Sequence, residues 1–114
     1  MIITKTVPYT KDEIDKLKEQ FNVYIKTVID VKQNICSAGS DRHVDSKKNL
    51  LEQGSNQEDL WGGGIDLETM VIDFNSMINI RPSQGNTSNE VQDAKIREEF
   101  EKLTKYFFKV LYEQ

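Results

Sequence analysis

The sequence predicts an α+β fold: a single domain over residues 1–114, with a mainly antiparallel sheet packed by a long C-terminal helix and shorter helices. Three observations predict it. Residues 23–31 alternate with the period of two that a strand requires, and 35–38 return after the turn-like Lys32-Gln33-Asn34. Residues 93–112 repeat apolar side chains at helical spacing. The elements run strand, helix, hairpin, helix, strands, helix, an order that gives an α+β domain.

The first strand is expected at 2–6, closed by Pro8. Thr10 and Glu13 have capping-box spacing, and Ile14, Leu17 and Phe21 then lie on one face of a helix ending near Asn22. In the clearest strand, Val23, Ile25, Thr27, Ile29 and Val31 face a core. Tyr24 and Val28 make the second face partly apolar, so it is expected to be covered as well. Cys36 reads as a small buried residue of the returning strand. Residues 39–44 form a loop, Asp45 or Ser46 caps a helix through Gln53, and Gly54 ends it.

Ser55 and Glu58 repeat the capping spacing for a single turn. The run Gly62-Gly63-Gly64 marks either a flexible turn or a place where other backbone comes close. Residues 71–81 read as the last strand, with Ile72, Phe74, Ile78 and Ile80 on one side and Phe74 and Ile78 buried, and Pro82 ends its ladder. A polar loop follows over 83–89. Ile96, Phe100, Leu103, Phe107 and Val110 form the stripe of one long helix, with Glu98–Lys102 and Glu101–Lys105 pairs on its wet side.

Composition narrows the function classes. Fifteen Lys and Arg against nineteen Asp and Glu give a net charge of -4, which argues against a general nucleic-acid or anionic-membrane binder. No apolar run reaches the length of a membrane span, and the first residues have no signal-peptide architecture, so a cytoplasmic location is expected. One cysteine excludes an internal disulfide and any Cys-rich zinc site. One histidine cannot build a His-rich metal site, and neither metal nor cofactor is expected.

The segment 76–86 is the most informative. It sets Arg81, one of three arginines, at a strand end before Pro82 and the loop Ser83-Gln84-Gly85-Asn86. Arg81 is suited to hold a phosphate or carboxylate through two parallel hydrogen bonds, while the loop's N–H groups form an anion cradle. The bland alternative is an ordinary connection in which Arg81 pairs with Asp59 or Asp73. Trp61, before the glycines, is placed to stack on a base, or else belongs to the core. His43, near Asp45, is a further ligand-binding candidate. With Asp45 and Glu52 it is also the only candidate general acid/base, otherwise a loop residue. On the last helix, Thr104, Phe108 and Leu111 form a second apolar row. That row implies either a helix wedged between two layers or a contact in a homodimer or higher homo-oligomer.

The segments Asp41 to Asp45, Leu50 to Ser55, Gln57 to Gly62 (with Asp59-Leu60-Trp61-Gly62) and Ser76 to Asn86 together resemble a family of small bacterial α+β proteins classed as a domain of unknown function. The resemblance runs from the strand at Val23 to the final helix. The family's Gly-rich approach to an acidic residue and the histidine reads here Gly39-Ser40-Asp41-Arg42-His43. Where the family tends to have a single Gly and a polar residue after the Trp, this chain has Gly62-Gly63-Gly64. The resemblance implies an intracellular α+β domain and brings no activity with it.

The sequence therefore leads to a non-enzymatic binding protein that sequesters a small nucleotide-like or other phosphate-bearing anion through Arg81, Ser83, Gln84, Gly85 and Asn86, with Trp61 and His43 beside them. The alternatives are a small hydrolase using His43 with Asp45 or Glu52, and a protein-interaction module acting through the C-terminal aromatic helix.

Overall fold

The alternating segment forms the strand β2 (Tyr24–Asp30), second of five in chain order; the computed structural model describes residues 1–113. With β1 (Ile3–Lys5), β3 (Ile35–Ala38), β4 (Leu60–Asp66) and β5 (Ile72–Asp73) it makes one sheet in the order β1-β3-β2-β4-β5, antiparallel at every pairing. The helices are α1 (Lys11–Gln20), α2 (His43–Glu52), α3 (Ala94–Phe107) and the short α4 (Lys109–Tyr112). The expected α+β class is the one observed.

The period of two sorts the sheet into two covered faces. Ile25, Ile29, Cys36, Ala38, Trp61 and Ile65 face the main core with Ile14 and Leu17 of α1 and Phe100, Leu103 and Phe107 of α3. On the other face Val28 and Leu60 pack under Leu50 of α2, with Ile35 and Ile78 at the margin. The capping box at α1 is complete: Glu13 N–H donates to Thr10 Oγ1 and Thr10 N–H to the Glu13 carboxylate. No helix among the described residues is long and apolar enough to cross a membrane.

Four local expectations are corrected. The three glycines form no turn: they lie inside β4, which pairs with β2 along its whole length. Their second reading, close approach, explains why. A Cβ on Gly63 would press into the Phe100 ring at 2.8 Å and into the Asp73 carbonyl, and one on Gly64 would enter the Tyr24 ring. The helix α2 starts at His43, ahead of Asp45, which lies in its first turn and accepts from Ser40 Oγ at 3.1 Å rather than capping.

Residues 71–81 are not one strand. Only Ile72–Asp73 pairs, then Met77–Asn79 and Pro82–Gln84 form single 3-10 turns; Phe74 and Ile78 are half-buried and Ile80 is exposed. The last helix breaks at Phe108 (φ -107°, ψ 29°), whose N–H closes α3 by donating to the Thr104 carbonyl. Thr104, Phe108 and Leu111 are buried in the chain's own core, so the second apolar row belongs to a wedged helix.

Candidate functional site

Beyond the two residues of β5, no strand among the described residues lies beside the outer edge of β4, and buried backbone groups there need partners. The segment 76–86 supplies them with side chains. Ser76 Oγ accepts from Ile78 N–H and fixes the first 3-10 turn. That turn aims the buried Asn79 amide at Gly62: Gly62 N–H donates to Asn79 Oδ1 at 2.8 Å, and Asn79 Nδ2 donates to Gly62 O at 2.9 Å. The same Nδ2 group reaches the carbonyls of Phe74 (3.1 Å) and Asn89 (3.0 Å).

Two residues on, Arg81 is 6% exposed. Its Nη1 donates to Gln57 O and its Nη2 to Leu60 O, and its guanidinium lies 3.9 Å from the centroid of the Trp61 ring. Burial lowers the guanidinium pKa and the nearby Asp59 carboxylate raises it in part, but no ion pair with Asp59 or Asp73 forms among the described residues.

The loop expected to cradle an anion closes on itself. Gln84 N–H and Asn86 N–H donate to Arg81 O at 2.9 and 3.1 Å, and Gly85 N–H donates to Pro82 O at 3.0 Å, with Gly85 in the left-handed region. Asn86 is buried: its Nδ2 reaches the carbonyls of Asn79, Ser88 and Glu90, and its Oδ1 accepts from Gln92 N–H. Ser83, Gln84 and Gly85 are exposed at the tip. Arg81, Trp61 and Asn86 thus brace the β4 edge, and the N–H groups of Gln84, Gly85 and Asn86 are given to the carbonyls of Arg81 and Pro82.

His43 lies elsewhere, on the opposite face of β4. Here Gly62 does a second service: a Cβ on it would come within 2.7 Å of Ser76 Cβ and 3.1 Å of His43 Cδ2. Its bare backbone lets these two side chains meet over the strand. They line a cavity of about 450 Å³ together with the cations Lys26 and Arg42 and the apolar Val44, Met77 and Ile78.

Lys26 Nζ is tethered by one hydrogen bond, 2.7 Å, to Asp41 O, which leaves two of its donors free to reach a guest. Arg42 holds Asp45 at 3.4 Å from an exposed position. His43 Nε2 lies 2.7 Å from Gly63 O and must donate to it, so in the neutral ring Nδ1 carries the lone pair. Burial lowers the His43 pKa, the hydrogen bond to Gly63 opposes this, Lys26 lowers it further and Asp73 raises it.

Neither Asp45 nor Glu52 is hydrogen-bonded to His43: Asp45 serves Ser40 and Arg42, and Glu52 is exposed at the far end of α2. Among the described residues no group of three metal-binding side chains comes together. A second cavity, about 520 Å³, is lined by Asp41 and Asp45 beside Met1, Gln20 and Phe21, and its carboxylates do not suit an anion.

Of the expected site residues only His43 borders the basic cavity. Lys26, Arg42, Ser76 and Met77 were not expected there. One signal was present in the sequence: Lys26 puts a cation between Tyr24 and Val28 on a face that is otherwise partly apolar.

These features define the class of protein as an antiparallel α+β domain in which the segments 57–62 and 76–86 are bonded to each other. The chain matches, over residues 1–107, the family described as "Protein of unknown function (DUF5674)", and it belongs to that family. No curated protein and no solved structure matches it.

Proposed function

We propose that this protein is a non-enzymatic binding protein for a small anionic ligand, held in the cavity between β2, α2 and the turn at Met77. One observation carries the reading: Lys26 and Arg42 line a single cavity of about 450 Å³ in a chain of net charge -4. A concave site of that volume suits a small organic ligand. Lys26 and Arg42 supply charge-assisted donors and the Ser76 hydroxyl can add another, while His43, its Nε2–H given to Gly63 O, borders the cavity as a ring. The start of α2, where Arg42 makes no side-chain cap bond, adds a weak positive potential.

The ligand class is the one expected from the sequence; the place is different, because both terminal nitrogens of Arg81 and the N–H groups of Gln84, Gly85 and Asn86 are bonded to backbone carbonyls. A nucleotide-like or other phosphate-bearing anion remains the proposed guest, and sequestration the proposed action. Cys36, buried and free with its thiol pKa pushed up to about 12, is compatible with a cytoplasmic location. Calorimetry with inorganic phosphate and mononucleotides tests the proposal. Lys26→Ala and Arg42→Ala should each weaken the tightest of these complexes about tenfold or more, while Arg81→Lys leaves it unchanged. Binding that ignores Lys26 and Arg42 contradicts the assignment.

A further inference from the structure

The lining of the same cavity joins cationic and apolar side chains, and the mixture bears on what it takes. Resting on the binding reading above, we infer that the guest is an amphipathic organic anion, an acidic head joined to an apolar body, and that Met77 selects for that body. The head belongs with Lys26 and Arg42. The same cavity is also lined by Met77, 79% exposed, Val44, 48% exposed, and Ile78.

A large apolar side chain so open to water, on a turn pinned by the Ser76 cap and by Asn79, gains nothing from the fold. A bare inorganic anion would leave it as wet as before. A guest with a ring or a branched chain beside its charge covers it, and that burial adds affinity in proportion to the area removed from water. Methionine suits the role, since its unbranched, polarizable side chain adapts to a flat or an irregular surface.

The comparison of phenyl phosphate with inorganic phosphate isolates the apolar body at a constant head group. Titrations followed by two-dimensional NMR should show phenyl phosphate binding about tenfold tighter or better, a margin that matches covering roughly one side chain's worth of apolar surface. Met77→Gln, nearly equal in length and on an exposed position, should remove most of that margin and leave inorganic phosphate within about twofold of wild type. Val44→Thr should act in the same direction more weakly. Equal affinities for the two probes, or a margin untouched by Met77→Gln, overturns the inference while the anion site stands. Failure of either probe to bind, or binding indifferent to Lys26→Ala, removes the site itself and the inference with it.

Discussion

Asn79 and Gly62 exchange two hydrogen bonds, amide to backbone in both directions, at 2.8 and 2.9 Å. A hydrogen-bonded antiparallel pair of residues makes the same exchange with its main chains. One buried side chain thus takes the place of a strand residue along an edge that β5 is too short to cover. Arg81 continues the edge by taking the carbonyls of Leu60 and Gln57 and stacking on Trp61. The segments 57–62 and 76–86 are two sides of one joint, which reaches the cavity through Ser76, Met77 and Ile78 in its lining.

Asn79→Asp should be severely destabilising. The substitution puts a carboxylate oxygen where an N–H group now faces the carbonyls of Gly62, Phe74 and Asn89, inside a fully buried site. A loss of about 3 kcal/mol or more is expected in urea unfolding. A change below about 1 kcal/mol would show that the amide does not stand in for a strand.

Arg81→Lys separates a bracing arginine from a binding one. Lysine cannot reproduce the fork that reaches two carbonyls while lying on the Trp61 ring. Stability should fall by about 1–3 kcal/mol, and anion affinity should not change. Lost affinity at unchanged stability would return the anion site to the 81–86 loop.

Residues 23–31 and 35–38 were legible as a hairpin because alternation and turn chemistry there agree with the tertiary structure. The region 60–81 was not, for a physical reason. Glycine is a poor strand former on its own, and the close approach of Ser76 and His43 to Gly62, of the Phe100 ring to Gly63 and of the Tyr24 ring to Gly64 makes three in succession the right residues for a central strand. The apolar alternation from Ile72 to Ile80 is interrupted by the Ser76 cap and two 3-10 turns, which a period count does not register. Arg81 was singled out correctly as unusual, but its partners are carbonyls 21 and 24 residues away, and sequence spacing gives no hint of them. The cavity itself joins Lys26, Arg42 and Met77 across three elements.

Gly63→Ala and Gly54→Ala should differ in size and cause. A Cβ at Gly63 meets Phe100 at 2.8 Å between two packed elements, and the cost should be about 3 kcal/mol or failure to fold. Gly54 has nothing within 4 Å, and only its φ of +102° resists alanine, for about 1–2 kcal/mol. Thermal unfolding of the two variants checks the order; equal losses would mean that both Phe100 and the Asp73 carbonyl yield to the new methyl.

His43 should titrate below 6.5, because burial disfavours its charged form. The sign for stability follows. Between the folded pKa and 6.5 the unfolded chain binds the extra proton, so stability is complete above that window and declines as pH falls through it. His43→Gln should flatten that part of the pH profile. Imidazole NMR shifts followed against pH give the value directly, and a midpoint above 6.5 would mean that Asp73 and Gly63 outweigh burial.

The anion cavity is tested most directly by mapping backbone amide shifts during a titration with phenyl phosphate. Saturable shifts should appear at Lys26, Arg42, His43, Val44, Ser76 and Met77, and should weaken together in Lys26→Ala. The amides of Ser83, Gln84 and Gly85 should stay still. Shifts gathered at that loop, or none that saturate, would contradict the account.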